Sequence, residues 1–167
     1  MKRLERVKKL AKKGKYREAA RILDEILHGN EDDSLYYLRA ILALRLDDYR
    51  KAEEFLERAI FVKKKPTYVR MKGMLFFELL DFEMAALNFE ECISLKPKDF
   101  LSNFFLSMSY MFLDNPKSTK YLKKAYAIDR KKTKRLLRSF YDSFFAPDTS
   151  IDKATKKMIE DRLGRIR

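Results

Sequence analysis

A step of 33 residues runs through this chain and constrains its fold more than any other feature. Tyr16, Tyr49 and Phe82 stand 33 residues apart, and Ala19, Ala52 and Ala85 follow them at one fixed offset. Three further columns keep the step: Leu23, Leu56, Phe89 and Leu122; Ile26, Ala59, Cys92 and Ala125; Leu27, Ile60, Ile93 and Tyr126. A fixed period of this length marks an array of supersecondary units, each too small to bury its apolar face alone and stable only by stacking.

Within each unit the spacing is helical. Ala52, Leu56, Ala59 and Ile60 lie on one face of a helix, as do Ala85, Phe89, Cys92 and Ile93. The other half of a unit is periodic too, through Tyr36, Ala40 and Ala43, then Val69, Gly73 and Phe76. The pattern predicts helices at 2–13 and 16–28, 34–46 and 49–62, 67–80 and 82–95, 100–113 and 116–128. Asp48 and Asp81 are placed to cap second helices, and Pro116 suits a first helical turn. Pro66 and Pro97 punctuate the units. Residues 131–167 predict two more helices, 131–145 and 150–163, split by 146–149. Another step reaches Ile151, Met158 and Ile159, so the pair reads as a degenerate fifth unit or a cap. Lys153, Lys156, Lys157, Asp161 and Arg162 supply the polar outer face a solenoid end needs. No segment alternates with the period of a strand.

Small residues recur where two helices joined by a tight turn must approach closely: Ala19, Ala52 and Ala85 on the second helices, Ala40 and Gly73 on the first. This set resembles the tetratricopeptide repeat, a family with an aromatic at the turn, Ala on the second helix and Pro at the unit's end. The third unit matches best, through Gly73, Phe76, Phe82, Ala85, Phe89 and Pro97. The fourth departs most, with Leu106, Ser109, Asn115 and Ser118 in the family's small and aromatic slots. The resemblance covers about four-fifths of the chain. It implies an all-α, right-handed helical-repeat solenoid, with four helix-pair repeats over 1–130 and a C-terminal helical cap over 131–167.

Composition narrows the chemistry. One cysteine, Cys92, excludes a disulfide framework, and one histidine, His28, leaves no partner for a His-pair metal site. Glycines at 14, 29, 73 and 164 fit no phosphate-cradling loop. Cys92 sits in a small-residue column and reads as core. The turn acids Asp32–Asp33 and Asp47–Asp48 do not converge on one atom. No nucleophile–base pair emerges, so a non-catalytic protein without cofactor or metal is expected. Residues 1–6 are charged with no apolar run behind them, which argues against a secretory signal. The longest uncharged stretch, 100–113, is too short and polar to span a bilayer. A cytoplasmic protein is the expectation.

In the family, one face of the first helices lines a concave surface that holds a partner. Register carries this onto Tyr37, Ile41 and Leu44 in the second unit, Arg70, Met74 and Phe77 in the third, and Asn103, Ser107 and Tyr110 in the fourth. Leu4, Lys8 and Ala11 are the first unit's share. The face is mostly apolar and aromatic. It lacks the cations and amides of the family's carboxylate clamp: Leu4, Lys8, Leu38, Thr67 and Met71 stand at those sites, and only Lys8 has the right charge. An apolar groove suits an amphipathic helix or apolar extended peptide of a protein partner. The helix at 100–113, apolar nearly all round, leaves two other occupants open: the C-terminal helices, or a second copy in a homodimer.

The formal net charge of +13 is uneven. Residues 1–30 carry +6 and residues 131–167 carry +6, while 31–65 balance and 66–98 carry −1. Basic ends admit an alternative: an RNA- or anion-binding module acting through its terminal segments.

Overall fold

The computed structural model describes residues 2–165, with side chains described for 2–158, 160 and 161. Its helices are α1 Lys2–Lys12, α2 Tyr16–Leu27, α3 Asp33–Leu44, α4 Tyr49–Val62, α5 Pro66–Glu78, α6 Phe82–Leu95, α7 Phe100–Phe112, α8 Lys117–Ile128, α9 Arg130–Phe140 and α10 Lys153–Arg165. A π-helical turn, Tyr141–Phe145, continues α9. No strand occurs among the described residues.

The same turn closes each of the first four pairs. Gly14, Asp47, Leu80 and Asp114 all take positive φ, between 50° and 73°. In each case the next residue's N–H reaches back to the last turn of the preceding helix: Lys15 to Leu10, Asp48 to Ala43, Asp81 to Phe76 and Asn115 to Tyr110. This is the Schellman closure, which satisfies carbonyls a helix end leaves open. The chain then re-enters a helix directly. Asp48 accepts from the Lys51 N–H and Asp81 from the Met84 N–H, as the sequence predicts. Asp32, Asp99 and Asp129 cap α3, α7 and α9 in the same way, each cap contributing about 1 kcal/mol. Pro66 opens α5 as its first residue, where a missing N–H costs nothing, rather than standing outside it.

Paired helices pack on each other, and each second helix packs on the first helix of the next pair: α2 on α3, α4 on α5, α6 on α7, α8 on α9. This stacking makes an all-α solenoid. Ala40 and Ala43 of α3 meet Ala52 and Leu56 of α4, and Leu75 from the next pair joins them. Part-buried ion pairs stitch neighbouring pairs together. The Arg39 guanidinium donates to Asp24 at 2.6 and 3.1 Å, and Arg70 donates to Asp99 at 2.7 Å.

The fourth pair is offset by one residue. The N-cap moves from Lys65 to Asp99 and the positive-φ residue from Leu80 to Asp114, both steps of 34. Ser107, not Leu106, therefore takes the small slot of Ala40 and Gly73, and its hydroxyl donates to the Ser118 carbonyl at 2.8 Å. Tyr110, not Ser109, follows Phe76. The residue is given back where α8 starts, so Ala125 stays in the fully buried column of Ala59 and Cys92.

The C-terminal region differs from the expected pair of helices. The α-helical pattern ends at Phe140, and the π turn, closed by Ala146 N–H to Tyr141 O at 2.9 Å, rotates the residues after it. Phe140 and Phe144 then stack at 4.5 Å. Asp148 bonds Ser150 in a local turn and Asp152 caps α10 through Thr155, so that helix starts at Lys153 rather than 150. The Ile159 and Arg162 side chains lie outside the described residues.

Candidate binding groove

The first helices α3, α5 and α7 stand side by side, and an open cavity of about 480 Å³ runs between them. Leu44 lines it from α3; Met71, Met74, Leu75 and Phe77 from α5; Phe105 from α7. Leu80 closes one margin from its exposed positive-φ turn, and Phe144 reaches in from the π turn. Among the described residues, Glu78 is the one ionisable group on the lining. Such a surface offers dispersion and burial, with two adaptable methionines at its centre.

The expected site residues divide. Leu44, Met74 and Phe77 line the cavity. Ile41 is half-buried on α3. Tyr37 is half-buried too, its ring 4.6 Å from that of Tyr68; burial pushes its phenol up, and the nearby Arg70 charge opposes this. Arg70 spends its guanidinium on Asp99. Asn103, Ser107 and Tyr110 turn inward, at 0%, 1% and 6% exposure. The Asn103 amide donates to the Pro97 and Asp99 carbonyls, and the Tyr110 hydroxyl donates to Glu90. Their inward placement follows from the 34-residue step: positions carried over by 33 fall one residue short on α7. From Met71 the step of 34 reaches Phe105, a lining residue the register of 33 misses. Leu4 and Ala11 pack into the first pair's core, and Lys8 pairs with Glu5.

Part of the face is covered from within. The Phe140 ring lies 6.1 Å from Phe77 and 5.8 Å from Phe112, and Phe144 lies 6.0 Å from Phe112. The C-terminal segment thus occupies one end of the groove, and the Leu44–Met71–Met74 end stays open. A smaller cavity of about 320 Å³ lies between α7, α8 and α9, lined by Met108, Met111, Leu122 and Leu137 with Phe140, Tyr141 and Phe145. Elsewhere, burial pushes the Cys92 thiol up, and its Sγ lies 3.2 Å from the Pro66 carbonyl, as suits a core residue. No three His, Cys, Asp or Glu side chains converge for a metal among the described residues. No helix among them is long and apolar enough to cross a membrane.

Stacked helix pairs around an apolar inner face define a helical-repeat solenoid. The sequence profile of the tetratricopeptide repeat matches residues 33–65 and 71–99. A TPR repeat-containing protein of Methanocaldococcus jannaschii is 26% identical over 96 residues, a match spanning 57% of this chain and 17% of that protein's length. The chain carries tetratricopeptide repeats over residues 33–65 and 71–99. Its fold matches MamA from Desulfovibrio magneticus RS-1, at TM-score 0.75 and 18% identity over 97% of this chain and 89% of that one. A crystal structure of MamA matches at TM-score 0.72 and 21% identity over 79% of each chain. YrrB, described as a TPR protein with an unusual peptide-binding site, matches at TM-score 0.65 and 21% identity over 72% of this chain and 64% of that one.

Proposed function

We propose that this chain is a cytoplasmic, non-catalytic adaptor that holds the apolar side of an amphipathic helix or an apolar extended segment in the groove between α3, α5 and α7. One observation carries the reading: the open cavity of about 480 Å³ whose lining, among the described residues, is aliphatic, thioether and aromatic apart from Glu78. The rigid stacking of α3, α5 and α7 supports it, because a preformed surface loses little entropy on binding. The peptide-binding site named for YrrB points the same way. Residues 131–167 act in this reading as the solenoid's cap, with Phe140 and Phe144 setting one end of the groove. A single buried cysteine suits a reducing compartment.

The test compares wild-type protein with Met74→Asp in affinity capture from native lysate, with nuclease and with washes at low and high salt. Met74 is half-buried, so the variant keeps its helical circular dichroism. The expected result is a protein partner retained by the wild type through high salt and lost by the variant. Recovery of nucleic acid alone, released by salt, overturns the reading.

A further inference from the structure

The helical hairpin α8–α9 carries a charge that neither the fold nor the groove uses. Residues 117–140 hold ten Lys or Arg and a single acid, Asp129. That acid is spent locally: it accepts from the Lys132 N–H at 2.9 Å and pairs with the Lys132 ammonium at 3.0 Å. The other basic end is different in kind. Over residues 2–27 ten cations are interleaved with four acids, and Glu5, Glu18 and Glu25 there each pair with a cation.

On α8 the lysines are ordered by rings. The Lys117 ammonium stands 5.8 Å from the Tyr110 ring centre, and Lys120 and Lys124 stand 5.8 and 5.0 Å from that of Tyr121. Such contacts restrain long side chains without neutralising them. Across the one-residue link at Asp129, Lys131, Lys134 and Arg135 continue the surface on α9. These three, with Lys123, make no ion pair among the described residues. Arg138 pairs with Asp142 of the π turn at 3.4 Å, and Glu90 of α6, whose charge acts on Tyr121, accepts the Tyr110 hydroxyl.

Uncompensated like charges gathered on one hairpin raise the local potential and favour a polyanion. Large aliphatics suited to entering acyl chains are missing from the exposed side of this hairpin among the described residues, except Ile128 at the end of α8. Two half-buried phenol rings, Tyr121 and Tyr126, lie between the cations instead. We propose that the α8–α9 face binds the phosphate backbone of a nucleic acid, independently of the groove.

The test uses fluorescence anisotropy with a labelled uridine homopolymer of about 20 nucleotides. Three proteins are compared: wild type, the triple variant Lys123→Glu, Lys131→Glu, Arg135→Glu, and the charge-matched variant Lys2→Glu, Arg6→Glu, Lys9→Glu on α1. All six residues are exposed, so both variants retain wild-type circular dichroism. The wild type is expected to bind at about 50 mM salt and to weaken steeply towards 200 mM, and the α8–α9 variant to lose about tenfold or more. The α1 variant is expected to stay within about threefold of wild type. Equal loss in both variants makes the binding a matter of net charge alone and overturns the assignment, as does absence of binding to the wild type. Binding to phosphatidylserine vesicles with none to the RNA overturns it in favour of a lipid surface.

Discussion

A Cβ placed on Gly73 would stand 2.8 Å from Cε1 and 2.9 Å from Cδ1 of Phe89. The bare α-carbon in the middle of α5 is what lets that fully buried ring lie between α5 and α6. At an exposed helical site, Gly→Ala gains about 1 kcal/mol from backbone propensity. Here overpacking costs about 1–3 kcal/mol and opposes it. Gly73→Ala should therefore lower stability in urea unfolding, and adding Phe89→Leu should recover part of the loss. An alanine variant more stable than wild type contradicts this packing.

Arg70 and Asp99 form the tie between the third and fourth pairs. Asp99 is 4% exposed and also caps α7 through the Ser102 N–H and hydroxyl. Removing Arg70 leaves a buried carboxylate whose one remaining cation among the described residues is Lys96, at 3.7 Å. Arg70→Ala should destabilise by about 2–3 kcal/mol, since breaking a buried pair costs more than the pair itself is worth. A double-mutant cycle with Asp99→Asn should give a coupling of about 1 kcal/mol or more. Strictly additive losses would show that the two residues act separately.

Leu80 holds φ at +62°, a conformation that strains a branched side chain. Asp47 and Asp114 take it at lower cost, and Gly14 at none. Leu80→Gly should raise the denaturation midpoint, with a gain of about 0.5–1 kcal/mol after the added freedom of the unfolded chain is counted. Asp47→Gly should give less. A loss at Leu80 would mean that its contact with the groove margin outweighs the strain.

Alkaline stability follows from the tyrosines. Burial, the largest cause in each case, raises the phenols of Tyr37, Tyr68, Tyr110 and Tyr121 above the ordinary value of 10. A raised folded-state value means stability that is complete below pH 10 and falls as pH climbs above it, because the unfolded chain ionises first. Ultraviolet titration should show these four phenols ionising above pH 10, together with loss of helical circular dichroism. A single transition of all of them at 10 with the helices intact contradicts the burial.

The helices were legible because each unit repeats its own punctuation. Asp48 and Asp81 announce second helices, and the columns through Ala52 and Ala85 fix which face turns inward. The register of α7 was not legible from its own residues. A helix apolar nearly all round has no polar face to orient it, so nothing in 100–113 distinguishes a step of 33 from one of 34. The cap at Asp99 and the turn at Asp114 settle it, and with it the inward placement of Asn103, Ser107 and Tyr110. The break of α9 at Phe140 was hidden for a related reason: a π turn changes the facing of residues without changing their composition, and it sends Phe144 into the groove. Leu44, Met74 and Phe77 fall on the cavity because α3 and α5 keep the regular step.

In the proposed function, the groove between α3, α5 and α7 is where a partner lies. A photo-crosslinking residue placed at Met74, and separately at the exposed Leu87 on α6, measures this most directly in native lysate. The expected result is a discrete crosslinked protein from position 74 that survives high salt and is absent from position 87. The same products from both positions, or products from 87 alone, would contradict it.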